Sequence, residues 1–425
     1  MPITIPLGKG SRRLEIKDVE LELFKEMLIH RVMRSRDVHA FYKTLSESPP
    51  HTRSITKRLT RLVDSGVLLR MDEPINDTKP NIRLYYYKLA KRGIAALTET
   101  GSIKADEAET IYRQILSLKI PKPHNLAVSS LVNNLQIKLM EKNIKNQHER
   151  GGTWVQQYQT ELPFVPDWVF ANRRCTVFLE VDSGTEQLSM IETKVQRYID
   201  YAATSEDKIM VVFSIMDTSV DYELSADRSK RIVSLKESVP PYQHWPKNLS
   251  IYVISAERTP ELIIRMFEDI EPLSDTERGY VLENWLDEWK THCPNISTTL
   301  LERASVYSDT GVKELEADLV LKVEDRTELR TIGFLYGEEG SVKSYQQIRF
   351  NHKRIGRHQG RGIPLDELIV IYLDYENLLH DVLGRTFLKA WFTFGETWHH
   401  EEETGRYPLM LKPISIFRKE WVSFE

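Results

Sequence analysis

Along the first hundred residues, apolar positions recur at helical spacing before the pattern changes to that of strands. Leu21, Phe24, Leu28 and Val32 follow Asp18, which opens a helix, and a second, shorter helix covers about Asp37 to Leu45. Ser48-Pro49-Pro50 then stops and redirects the chain. From Thr52 to Ser65, the residues Ile55, Leu59, Leu62 and Val63 fall at i, i+4, i+7 and i+8, the apolar face of a third helix. Gly66 suits the C-terminus of that helix. Val67 to Arg70, the turn-rich tip DEPINDTKP and Ile82 to Leu89 predict a two-stranded hairpin with a polar tip, and a further helix begins near Leu89. Three helices followed by a hairpin is the order of a winged helix-turn-helix, in which the third helix enters the major groove of DNA.

Beyond this head, residues 101–120 form a helical connector ending at Ile120-Pro121-Lys122-Pro123, and His124 to Lys142 is a long amphipathic helix. The pattern then turns to strands: Trp154 to Leu162, Asp167 to Phe170, Thr176 to Val181 and Lys208 to Ile215, with a helix from Gln187 to Tyr201 between the last two. That order predicts an α/β domain over 121–260, with the proline-rich run Pro240 to Pro246 as a rigid loop inside it. Residues 261–425 echo it faintly. A helix from Asp275 to Lys290 precedes Ala317 to Leu321, which parallels Pro166 to Phe170. Phe334 to Gly340 parallels Phe178 to Gly184, and Leu368 to Leu373 parallels Met210 to Ile215. His124 and Asp167 lie 43 positions apart, as do Asp275 and Asp318. The expected fold is therefore a multidomain α/β (α+β) chain. It has a winged helix-turn-helix at 1–100, a connector at 101–120, an α/β domain at 121–260 and a C-terminal α/β lobe at 261–425. That lobe reads as a degenerate copy with Tyr336 in place of Glu180.

Charge sharpens the reading of the head. Residues 1–100 hold 19 Lys or Arg against 12 Asp or Glu, a balance of +7, which leaves −11 of the total −4 for the remainder. A basic head on an acidic body places any contact with phosphate at the head. Advancing 100° per residue brings Arg53, Lys57 and Arg61 together opposite the apolar face of the third helix, flanked by Ser54 and Thr60. With Lys79 and Arg83 of the hairpin, these are the expected DNA-contacting residues; a solvated helix face is the alternative for an isolated helix. With 41% hydrophobic residues in a chain of 425, several cores can form. No stretch approaches the roughly 20 apolar residues of a membrane span, and MPITIPLGKGSRRLEIKD lacks the form of a secretory signal. The two cysteines, Cys175 and Cys293, argue against a disulfide framework or structural zinc, so a cytoplasmic location without membrane contact is expected.

The middle domain carries an acidic constellation. Pro166-Asp167 ends one stretch and Phe178-Leu179-Glu180-Val181-Asp182 runs through the next, with Ala171 to Arg174 as the turn between them. Paired as a hairpin, they would set Asp167 and Glu180 at adjacent positions. Asp167, Glu180 and Asp182 are thus candidate ligands for Mg²⁺ or Mn²⁺, a cation that can activate water against a phosphodiester. Lys194 on the following helix is a candidate catalytic cation beside Asp167 and Glu180. The same residues also admit a structural account, with Asp182-Ser183 capping the next helix and Asp167 closing a strand.

Pro166-Asp167 with Glu180-x-Asp182 resembles the core motif of PD-(D/E)xK nucleases, with Asp182 where that family places its lysine; Lys194 lies where the lysine can migrate. A resemblance over the whole first half is closer. The winged-helix head, a helix opening with His124, then PDWVF, FLEVDSGTE and KVQRYIDYA look like the replication-relaxation family of bacterial plasmids and integrative elements. That resemblance implies DNA handling in replication, mobilisation or its control. Double-stranded DNA is the implied partner, with other replication or mobilisation proteins and a homodimer as further admissible partners. A Mg-dependent endonuclease and a transcription regulator with a non-catalytic body are the two alternatives. Two further features stand apart: the basic loop Asn351 to Gly362, with Lys353, Arg354, Arg357 and Arg361, which suits phosphate or solvent equally, and His399-His400, whose adjacency is a poor geometry for one ion.

Overall fold

The third helix of the head forms where the pattern places it, and its ends show why. In a computed structural model it spans Thr52–Asp64, and the His51 side chain accepts a hydrogen bond from the Arg53 amide at its start. At its end Gly66 takes φ +70°, so that its amide reaches the Val63 carbonyl and the Val67 amide reaches that of Leu62. This paired reversal closes the last turn, and a residue with a Cβ adopts it only under strain. The structure describes residues 3–6, 13–72, 85–117, 123–153, 165–220, 227–293, 296–302, 306, 316–325, 328–356, 363–384, 387, 389–395, 411–413 and 421–423. They fall into two units: Met1–Glu161 with Val165–Asn172 and Thr218–Glu223, and Leu162–Phe164 with Arg173–Asp217 and Leu224–Glu425.

The first unit begins with an antiparallel pair, β1 (Ile3–Pro6) and β2 (Arg13–Ile16), that the apolar pattern did not mark. Helices α1 (Asp18–His30), α2 (Ser35–Leu45) and α3 (Thr52–Asp64) follow, with β3 (Met33–Arg34) between the first two. β4 (Leu68–Asp72) and β5 (Tyr85–Leu89) then pair antiparallel, and β5 also takes β3 on its other side. α4 (Lys91–Glu99) and α5 (Ala108–Ser117) complete this part. Phe24, Met27, Val38, Phe41, Ile55, Leu59, Leu62, Leu68 and Leu89 share its buried core.

α6 (Pro123–Glu141) departs from the amphipathic helix expected at His124 to Lys142, for it is buried on most of its circumference, polar positions included. The reason is long-range hydrogen bonding. Ser129 Oγ donates to the Val32 carbonyl at 2.8 Å, Ser130 Oγ to Asp37 Oδ2 at 2.6 Å, and Gln136 Nε2 to Asn146 Oδ1 at 2.9 Å. Satisfied in this way, hydroxyls and amides enter a core without the usual desolvation cost. β6 (Gln147–Arg150) and β7 (Trp168–Ala171), antiparallel, follow in the same unit. The strand expected at Trp154 to Leu162 lies outside the described residues.

In the second unit β8 (Thr176–Asp182), α7 (Leu188–Thr204) and β9 (Ile209–Ile215) form a strand–helix–strand unit with β8 and β9 parallel. α8 (Arg228–Ser238) leads to β10 (Leu249–Ser255), parallel to β9 on its far side. Every residue of β9 is buried, as a central parallel strand requires. α9 (Thr259–Glu268) and α10 (Asp275–His292) follow, and α10 opens with a reciprocal cap between Ser274 and Glu277.

The C-terminal part is a mixed seven-stranded sheet in chain order: β11 (Ile296–Leu300), β12 (Leu319–Asp325), β13 (Glu328–Gly337), β14 (Glu367–Tyr372), β15 (Ala390–Phe394), β16 (Leu411–Pro413) and β17 (Trp421–Ser423). α11 (Val342–His352) joins β13 to its parallel neighbour β14, and α12 (Tyr375–His380) joins β14 to β15. The two segments compared by sequence thus share a strand–helix–parallel strand order. Each first strand leads to a glycine at positive φ, Gly184 at +79° and Gly340 at +75°. Tyr336 is buried and, among the described residues, its hydroxyl has no hydrogen-bond partner, so this position is filled by a ring rather than a charge. The chain is a mixed α/β, multidomain protein, and no described helix is long and apolar enough to cross a membrane.

Candidate nucleic-acid interface and acidic cluster

α3 divides its surface sharply. Ile55, Leu59 and Leu62 are buried, while Arg53, Ser54, Lys57, Thr60 and Arg61 are all exposed. The five candidates named from helical periodicity therefore stand on one solvent face, where cations and hydroxyls can reach phosphate or base edges. Lys79 and Arg83 lie outside the described residues. The intervening Arg58 has a different task, which periodicity could not assign. Its guanidinium donates to both oxygens of the buried Glu20, with Nη2 to Oε2 at 2.7 Å, and to the Glu15 carbonyl. Tyr42 also donates to Glu20, at 3.2 Å, and burial beside that carboxylate pushes the Tyr42 hydroxyl up to about 12. This network fastens α3 to α1 and α2 and sets the angle at which the exposed face is presented.

The acidic residues divide between the units. In the first, Asp167 Oδ1 lies 3.1 Å from His124 Nε2. In the second, β8 ends on Glu180 and Asp182, and α7 folds back over the strand. Lys194 Nζ reaches Glu180 Oε2 at 3.1 Å and Glu186 Oε2 at 3.2 Å, while Tyr198 donates to Glu180 Oε1 at 2.7 Å. Glu180 and Lys194 are thus brought together as their placement on a strand and the next helix suggested. Burial alone would lower the Lys194 ammonium, but Glu180 and Glu186 outweigh it and hold the group above the ordinary lysine value. Lys194 is accordingly a fixed cation, unsuited to accept a proton at neutral pH.

Asp182 does not cap α7. That helix starts after Gln187, with no side-chain cap, and Asp182 Oδ1 accepts instead from the Gly184 amide at 3.1 Å. Its main partner is Arg231 on α8, with Nε to Oδ2 at 2.6 Å and Nη2 to Oδ1 at 3.1 Å, a two-point pairing that also holds the Glu186 carbonyl at 2.7 Å. Nothing in the local sequence announces a partner 49 residues away. Glu180 and Asp182 thus each accept from protein donors at both oxygens, and a divalent ion binding them would share those oxygens with Lys194, Tyr198 and Arg231. Among the described residues no group of three or more His, Cys, Asp and Glu side chains is arranged to hold a metal ion.

Of the basic loop, Lys353 is exposed and Arg354 lies 3.4 Å over the Phe350 ring, while Arg357, Arg361 and the pair His399-His400 fall outside the described residues. Comparison with known proteins bears on the first half of the chain: residues 25–212 match the family model described as replication-relaxation. No curated protein and no solved structure matches the chain.

Proposed function

We propose, from the replication-relaxation match over residues 25–212, that this chain serves a bacterial plasmid or other mobile element in replication, mobilisation or its control, and that it binds duplex DNA through a winged helix-turn-helix. The observation that carries the DNA reading is the exposed face of α3, where Arg53, Lys57 and Arg61 stand with Ser54 and Thr60 opposite an apolar face in which Ile55, Leu59 and Leu62 are buried and Val63 half-buried. Helix order and the antiparallel sheet that follows support it. Such a face in the major groove supplies phosphate contacts for affinity and donors to guanine edges for choice of sequence. The double substitution Lys57→Ala with Arg61→Ala is expected to weaken duplex binding by at least about tenfold and to reduce its salt dependence. A mobility-shift titration checks this, and unchanged affinity removes the role given to α3.

A second reading, a DNA endonuclease, has one observation in its favour. Glu180 and Lys194 form a carboxylate–ammonium pair on a strand and the helix that follows it, as the resemblance to PD-(D/E)xK nucleases implies. The commitment of Glu180 and Asp182 to protein donors favours a binding body over a cleaving one.

A further inference from the structure

Beside the exposed face of α3 the first unit holds an open groove of about 480 Å³. Three segments remote in sequence wall it: Lys17 between β2 and α1, Ser46 and Ser48 in the turn after α2, and Ser54, Lys57 and Arg61 on α3. Among the described residues none of the three cations has a carboxylate partner, in contrast to Arg58, whose guanidinium is fixed on Glu20. Three cations with the hydroxyls of Ser48 and Ser54 in one concavity match the chemistry of a phosphate, which takes charge and several hydrogen bonds at once, while Ser46 Oγ donates to the Tyr42 carbonyl. Val19 and Pro50 also line the groove and give it apolar surface suited to a sugar ring. The volume exceeds that of a phosphate alone and suits a sugar–phosphate unit.

We propose that this groove seats a backbone phosphate of the duplex with its adjoining deoxyribose, and that Lys17, outside the helix that reads the major groove, is a DNA-binding residue. The assignment rests on the reading of α3 as the DNA-contacting helix and extends it to a contact that fixes register without reading sequence. Because Lys17 comes from the β2–α1 junction, the phosphate would join the N-terminal segment to α3 across the groove. Arg58 acts behind it as a positioning residue, holding the Glu15 carbonyl and Glu20 against α3.

The test is a salt titration of affinity, by fluorescence anisotropy, of the full chain for two duplexes of unrelated sequence, with deoxyadenosine monophosphate as a third ligand. Lys17→Ala is expected to weaken both duplexes by the same factor, about tenfold at low salt, and to reduce the slope of log K against log salt by about one, with Lys17→Arg retaining most of the binding. Lys17 is exposed, and an unchanged circular dichroism spectrum shows that the variant folds. If Lys17→Ala binds both duplexes like the parent while Lys57→Ala/Arg61→Ala is impaired, the groove assignment fails and the α3 reading stands. Loss on one duplex alone would make Lys17 a base reader and overturn the proposal. Loss confined to the mononucleotide would assign the groove to a free nucleotide and overturn it equally. If neither variant loses affinity, both readings fall together.

Discussion

Glu180, the candidate catalytic carboxylate, is held at the scale of one residue by the protein's own donors. It is buried at 3% exposure, and its two oxygens are occupied by Lys194 and Tyr198. Removal of Lys194 would take from this interior carboxylate its ammonium partner and leave the neutral Tyr198 hydroxyl on Oε1. Breaking a buried pair in this way is costly because the remaining charge is uncompensated, whereas replacing both partners can be nearly neutral. Since the Lys194 side chain keeps 20% exposure, Lys194→Met is expected to cost about 2 kcal/mol, less than a fully buried pair, and Glu180→Gln in the same chain to restore most of it. A double-mutant cycle in urea measures the coupling, and a value near zero would show that Tyr198 alone satisfies the carboxylate. The pair was legible in the sequence, since a strand, a turn and nearly two helical turns fix where Lys194 must stand. The Arg231 partner of Asp182 was not, because the link depends on how α8 packs against β8.

α3 and α6 mark, at the scale of elements, where periodicity suffices and where it does not. In α3 the apolar residues and the cations separate cleanly, so pattern alone gave its limits, its buried face and its exposed one. In α6 the buried face includes Ser129, Ser130, Asn133 and Gln136, whose partners lie outside the helix, so the solvent face is narrower than the hydropathy pattern suggested and runs through Asn134, Lys138 and Glu141. The short strands β1, β2, β3 and β6 escaped notice for a related reason: two to four residues carry too little alternation to read, and pairing alone defines them. One consequence of packing α1 and α6 together falls on His30. It is fully buried with Nδ1 at 2.8 Å from Ser129 Oγ, and Glu26, His148 and Arg150 face it. Burial first, then the charges of His148 and Arg150, holds its pKa well below the usual histidine value. A folded-state pKa below the unfolded one means that the unfolded chain binds the proton more readily as pH falls below about 6.5. The stability contributed by neutral His30 is therefore present above that pH and is lost on acidification, by at most about 1.4 kcal/mol per pH unit. Hydrogen exchange in α1 and α6, corrected for its intrinsic pH dependence, is expected to accelerate between pH 7 and pH 5. In His30→Gln it is expected to change less, and an equal acceleration in both chains would assign the effect elsewhere.

For the whole molecule, the division of charge and the division of chemistry coincide. The head carries the positive balance and the exposed cations of α3, and the remainder carries the negative balance together with carboxylates already engaged by Lys194, Arg231 and, in the first unit, His124. A body of this kind repels the phosphate backbone at long range unless a particular surface or cation overcomes it. Affinity for duplex should then come from the head, and metal should add little. Supercoiled plasmid incubated with the pure chain and Mg²⁺, Mn²⁺ or EDTA separates the two functional readings directly. The binding reading predicts a shifted but covalently closed plasmid under every condition, unchanged by Asp167→Ala or Glu180→Ala and abolished with the cations of α3. Metal-dependent nicking that disappears in both carboxylate variants would reverse it. The pairing of Glu180 with Lys194 on β8 and α7 would then be read as part of a cleaving site rather than as a structural contact.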